Sequence, residues 1–248
     1  MTKIRLAVGV INCRTFADRR DRARATWVPE LLIHPDVDVL FVVGDYPNAQ
    51  EYVRNGDTLG VNCPDDAVDV PRKIGAFLRY ADRELDASLI LICEDDTFVY
   101  ADRLVTFDPG SNRFVGHARR TVTYVSLVDL IAAEAPVMSA RPASEVVMGA
   151  GCMLDRAAIR ILAAELALPG SDDEHSLVAI LNRHGIEPVY DPRFRASWDP
   201  ADPRGDRIDA MTSHPVNSPD RAALLWAQLG HPANECDALL ATHAIQTQ

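Results

Sequence analysis

Lysine is almost missing from this chain. Lys3 and Lys73 are the only lysines among 248 residues, and the other basic side chains are arginines, a bias typical of a GC-rich bacterial genome. The net charge is −11, which argues against nucleic acid or an anionic membrane surface as the main partner. Cysteine is also scarce. Cys13, Cys63, Cys93, Cys152 and Cys236 are odd in number, widely spaced and never form a CxxC pair. That pattern argues against a disulfide framework and against zinc, and leaves free thiols in a reducing compartment as the simpler account. No apolar run approaches the length needed to span a bilayer. Met1-Thr2-Lys3-Ile4-Arg5-Leu6 enters a strand-like segment without the layout of a signal peptide, so a cytoplasmic location is expected. Internal repeats and low-complexity linkers are absent too. With 48% apolar and 25% charged residues, the chain reads as one globular domain over 1–248 with a sizeable core.

What is present begins with alternation. Ile4 to Ile11 reads as a strand, Asp18 to Val28 as an Arg-rich helix, and Val37 to Val43 as a second strand ending in Gly44-Asp45. Val70, Ile74, Phe77, Leu78, Ala81 and Leu85 recur at helical spacing, which predicts an amphipathic helix over 70–85. Leu89 to Cys93 is the next strand. This rhythm implies an α/β fold with a mostly parallel sheet covered by helices. Further on, a short strand is expected at 113–117, an interrupted strand at 145–154, helices at 156–166 and 172–184, and a strand at 186–190. A final helix is expected from Ser218-Pro219 to Leu229. The stretches 121–144 and 191–218 read as loop.

The densest signal is Leu89-Ile90-Leu91-Ile92-Cys93-Glu94-Asp95-Asp96-Thr97-Phe98-Val99. A buried strand ends in three carboxylates, which repel one another unless a cation or hydrogen-bond donors offset them. In an open α/β sheet, ligands sit just beyond the carboxyl ends of strands. A divalent metal and an anionic ligand held by it are therefore expected here.

Several segments in order resemble the β-1,3-galactosyltransferase/Fringe family, glycosyltransferase family 31. Arg20 to Trp27 is similar to that family's first helix, which ends in Arg…Ala-Thr-Trp, and Phe41-Val42-Val43-Gly44 to its second strand. Asp66 followed by Lys73, Phe77 and Tyr80 resembles the helix before its metal motif, and Glu94-Asp95-Asp96-Thr97-Phe98-Val99 resembles its Asp-Asp-Asp-x-Phe-Val. Gly149-Ala150-Gly151-Cys152-Met153-Leu154 looks like its glycine segment. Asp172-Asp173, ahead of Arg183-His184-Gly185-Ile186, looks like its acidic helix, and Ser213-His214-Pro215 like its late histidine motif. The pattern departs at Glu94, where the family has Asp, and at Lys73-Ile74, where it has Lys-Thr. The resemblance implies a divergent bacterial member with a GT-A-type, Rossmann-like fold. It also implies a nucleotide-binding half near 1–100 and an acceptor and catalytic half over 101–248.

The resemblance also implies roles. Asp96 is the expected ligand of Mn²⁺ or Mg²⁺, with His214 as second ligand. Glu94 and Asp95 would contact the nucleotide ribose or orient the metal. Asp173 is the expected general base, with Asp172 or Glu174 as alternatives because the register is ambiguous by one. Gly149, Ala150 and Gly151 let the backbone approach the donor sugar, with a strand bulge as the alternative. Lys73 pairs with an acidic residue near the diphosphate or lies along its helix. Arg14, Arg19, Arg20, Arg22 and Arg24 form a basic island from which Arg20 is taken as the nucleotide contact. Trp27 reads as core, and Trp198 as a platform for the acceptor sugar.

These roles add up to a metal-dependent inverting glycosyltransferase. It would move a hexose or N-acetylhexosamine from a UDP-sugar to a glycan, lipid-linked or small-molecule acceptor. Two rivals share the acidic cluster: a metal-dependent hydrolase of phosphate esters or nucleotide sugars, and a degenerate nucleotide-sugar-binding module.

Overall fold

The computed structural model describes residues 4–47, 50–121, 143–146, 148–166, 175–195 and 210–213. Strand β1 (Leu6–Ile11) is buried along its whole length. It leads into α1 (Ala17–Ala25) and α2 (Trp27–Leu32). One helix was expected over 18–28. The chain instead breaks at Thr26 (φ −120°, ψ −100°), whose hydroxyl turns back to donate to the Arg22 carbonyl at 2.8 Å. The break lets Trp27, 2% exposed, and Leu31 face the sheet. Strand β2 (Val37–Val43) follows at the expected bounds. Next comes an unexpected hairpin, β3 (Tyr52–Asn55) and β4 (Thr58–Val61), which turns at Gly56 with φ +60°. Helix α3 (Val70–Arg83) carries Pro71 in its first turn, where a missing N–H costs nothing. Strand β5 (Leu89–Glu94) delivers the acidic motif.

The second half adds β6 (Phe98–Val99), α4 (Ala101–Val105), β7 (Phe114–Gly116), the paired strands β8 (Ala118–Thr121) and β9 (Ala143–Val146), and β10 (Cys152–Asp155). Helix α5 (Arg156–Glu165) is capped by Asp155, whose carboxylate accepts the Ala158 N–H at 2.8 Å. Such a cap stabilises a helix by about 1 kcal/mol. Helix α6 (His175–Arg183), β11 (Val189–Tyr190), β12 (Phe194–Arg195) and β13 (Thr212–Ser213) complete the described chain. The last two strands lie within the stretch read as loop. The expected final helix at 218–229 falls outside the described residues, as does most of 121–144.

The main sheet has the order β11-β7-β10-β5-β1-β2-β4-β3. Six strands run one way, while β10 and β3 oppose them. The mostly parallel α/β expectation therefore holds. Alternating side chains split the core into two layers. Leu6, Val8 and Val10 meet Ala23, Trp27 and Leu31 on one face. Ala7, Ile11, Leu40 and Val42 meet Ile74, Phe77 and Leu78 of α3 on the other. Gly9 belongs to the second layer. A Cβ there would stand 2.4 Å from the Phe77 ring, so only glycine admits α3 this close to β1.

The chain leaves β1 over one face to reach β2 and returns over the other face, through α3, to reach β5. The crevice beyond the carboxyl ends of β1 and β5 is thus a switch point, where α/β sheets bind ligands. Among the described residues no helix is long and apolar enough to cross a membrane. Cys13, Cys63, Cys93 and Cys152 are free thiols.

Candidate active site

Three loops converge at the switch point. Glu94 ends β5, and Asp95 and Asp96 follow it. After β1 come Asn12 and Cys13. After β2 come Gly44 and Asp45, the latter at φ +59°. The sheet register puts Glu94 opposite Ile11, so the acidic motif emerges beside the end of β1.

Asn12 ties these loops together. It is 2% exposed, its N–H donates to the Val42 carbonyl at 3.0 Å, and its Nδ2 donates to Asp95 Oδ2 at 2.6 Å. The other Asp95 oxygen accepts Nη1 of Arg19, also at 2.6 Å. Burial is the largest influence on Asp95 and pushes its pKa up; Arg19 and Asn12 counter it only in part. Arg19 lies 3.8 Å from Asp96 Oδ2 and stacks on the Phe16 ring at 4.4 Å. Burial penalises the Arg19 charge, but the two carboxylates outweigh that and raise its pKa.

A second buried network lies behind the first. Asp65 accepts the backbone N–H of Gly44 at 2.8 Å, the N–H of Arg14 at 2.5 Å, and the Lys73 ammonium. Lys73 is wholly buried and also donates to the Asn12 carbonyl at 3.1 Å. Gly44 has no room for a side chain, since a Cβ would stand 2.7 Å from the Pro64 carbonyl oxygen. Burial would raise the Asp65 pKa, but Lys73 and the two backbone donors more than reverse it and hold the carboxyl below its ordinary value. Lys73 pairs with Asp65 and holds the loop after β1 from beneath, and being wholly buried it offers no face to a ligand. Asp66, singled out in the sequence, instead accepts the Asp69 N–H at 3.0 Å. Arg20 donates to Asn12 Oδ1 and to the Cys13 carbonyl at 2.8 Å, so it braces the loop after β1.

The glycine segment is brought to the acidic motif. Met148–Ala150 forms a 3-10 turn, and Gly151 follows at φ +88°, in the left-handed region that favours glycine. The buried Thr97 hydroxyl donates to the Gly149 carbonyl at 2.6 Å, and Thr212 Oγ1 donates to that of Ala150. Strand β13 pairs with β6, which sets Ser213 opposite Phe98. The chain is therefore drawn back to the acidic motif up to Ser213. Its neighbour His214 lies outside the described residues, as do Asp172, Asp173, Glu174 and Trp198. Among the described residues no three His, Cys, Asp or Glu side chains are arranged to hold a metal ion.

A cavity of about 330 Å³ opens at this point. Its floor and walls include Ile11, Phe16, Val70 and Ile74, and its polar edge includes Asn12, Arg19, Glu94 and Asp95. An apolar recess with a few converging polar groups is the usual form of a small-molecule site. Sequence reasoning missed Asn12, Asp65, Thr97 and Thr212 and gave Arg19 no role of its own. Asn12 had a signal, because it is the first polar residue after an apolar strand, as Glu94 is.

Solved structures to which this chain is similar include glycosyltransferases. A glycosyltransferase involved in the glycosylation of the major capsid of PBCV-1 is 12% identical, with 89% of this chain and 98% of that chain covered and a TM-score of 0.52. The fold is that of a GT-A glycosyltransferase. The galactosyltransferase LgtC, in complex with donor and acceptor sugar analogs, is 13% identical over 95% of both chains (TM-score 0.45). The glycosyltransferase GlyE of Streptococcus pneumoniae TIGR4 is 13% identical, with 99% of this chain and 64% of that chain covered (TM-score 0.46). No protein-family model and no curated protein sequence matches this chain.

Proposed function

We propose that this protein is a metal-dependent, inverting glycosyltransferase akin to family 31. It moves a hexose or N-acetylhexosamine from a UDP-sugar to a hydroxyl of a glycan, lipid-linked or small-molecule acceptor. The observation that carries the reading is the position of Glu94-Asp95-Asp96. The motif stands at the switch point of a glycosyltransferase-type sheet, on the edge of a cavity, with the Gly149–Gly151 turn bonded to Thr97 beside it.

A carboxylate and an imidazole are donor types that suit a hard divalent cation. Asp96, which matches the last acidic residue of the family 31 motif, is the carboxylate assigned to Mn²⁺ or Mg²⁺, with the His214 imidazole as partner. Such a cation, when bound, offsets the charge that develops on the leaving diphosphate. The protein's own part is to hold the nucleoside in the apolar recess and to present Glu94 at its polar edge. Asp173, or its neighbour Asp172, takes the acceptor proton on the face opposite the leaving group. Trp198 stacks on the acceptor.

Calorimetric titration of UDP in Mn²⁺, then in EDTA, tests the reading. Binding that needs the metal and is lost in Asp96→Ala is the expected result. Absence of binding in both conditions would refute the UDP donor.

A further inference from the structure

We propose that Arg19 is the side chain that grips the donor's diphosphate, and that Asp95 serves to aim it. This rests on the reading of the crevice as a nucleotide-sugar site. Glu94, Asp95 and Asp96 stand side by side at the end of β5, and a nucleoside diphosphate adds its own negative charge. A single divalent cation leaves a surplus that another cation must meet.

Lys73, Arg20 and Arg19 bond to Asn12 or Asp95, and the geometry separates them. Lys73 is sealed beneath the loops by Asp65 and the Asn12 carbonyl. Arg20 spends its donors on Asn12 Oδ1 and the carbonyls of Cys13 and Arg14. Arg19 alone of the three lines the cavity and touches the acidic motif.

Its posture suits the task. One nitrogen, Nη1, is anchored on Asp95, and the guanidinium plane rests on the Phe16 ring. Among the described residues, Nε and Nη2 make no hydrogen bond. A guanidinium carries five N–H donors, and its fork matches two phosphate oxygens at once. The side chain is 28% exposed, so a ligand can reach it. Anchoring one end and stacking the plane fixes the fork before the ligand arrives, which lowers the ordering cost of binding.

Asp95 is a positioning residue for Arg19.

Calorimetry of UDP and of uridine, both in Mn²⁺, on the full chain and on Arg19→Ala and Arg19→Lys tests this. Uridine lacks the diphosphate and reports the recess alone. Arg19→Ala should weaken UDP binding about 10- to 100-fold, the range of a lost charge-assisted hydrogen bond, with uridine unchanged. Arg19→Lys keeps the charge without the fork and should fall between. Equal losses for UDP and uridine in Arg19→Ala, or no loss for either, would overturn the assignment while leaving the nucleotide site intact. If the wild-type chain binds neither compound, the underlying reading fails and this inference with it.

Discussion

Replacing Lys73 with methionine isolates the buried network beneath the crevice. Methionine has nearly the same length and shape, so the substitution removes the ammonium and leaves the packing of α3. Asp65 then keeps the N–H groups of Gly44 and Arg14 but loses its only cationic partner among the described residues. Its side chain is 5% exposed, so water does not replace what is lost. Stripping one partner from a buried ion pair costs about 3–5 kcal/mol, against a total stability of roughly 5–15 kcal/mol. For a chain of this length that is a fall in Tm of about 6–20 °C. Removing both charges, in Lys73→Met with Asp65→Asn, should recover about 2 kcal/mol or more, because no lone charge stays buried. The pH dependence has a definite sign. The folded Asp65 pKa lies below its ordinary 3.8, because Lys73 and the backbone donors overcome the effect of burial. Its ionisation therefore stabilises the fold above that value, and this contribution is lost as pH falls through the lower folded value. The gap between wild type and Lys73→Met, read from urea unfolding followed by circular dichroism, should be largest near neutral pH and narrow below about pH 4. A gap under about 1 kcal/mol at pH 7, the worth of an exposed pair, would refute the reasoning. So would a gap that stays constant down to pH 3.

Two further outcomes follow from the packing. Gly9→Ala drives a methyl into the Phe77 ring and should cost about 1–3 kcal/mol in urea unfolding, with Phe77→Leu in the same chain restoring part of it; a neutral Gly9→Ala would mean that α3 can retreat from β1. Thr97→Val leaves the Gly149 carbonyl without its 2.6 Å donor and should cost about 1–3 kcal/mol while speeding amide exchange at Ala150 and Gly151; unchanged exchange would show that the turn is held by other contacts.

The sequence by itself determined the layered fold, because hydrophobic periodicity is a local code. The largely apolar runs at 6–11, 37–43 and 89–93 and the helical stripe from Val70 to Ala81 are visible without the tertiary structure, and so are the elements they form. The acidic motif was legible for the same reason, as three carboxylates placed at the end of a buried strand. The β3–β4 hairpin was legible in principle, since Asn55-Gly56 is a strong turn signal, but its strands are short and largely exposed, so the period is weak. Strands of two residues, β12 and β13, have no period at all. They exist because β6 offers a partner.

Which carboxylate does what was decided only by tertiary structure. Asp65 and Asp66 are adjacent, yet one takes Lys73 and the other caps a turn. Arg19 and Arg20 are adjacent, yet one reaches the acidic motif and the other props the loop after β1. Neighbouring residues on a helix diverge by about 100°, so a basic island in sequence is split between different faces. The partner each side chain meets comes from 76 positions away for Arg19 and 83 for Asn12, a separation that no local pattern encodes.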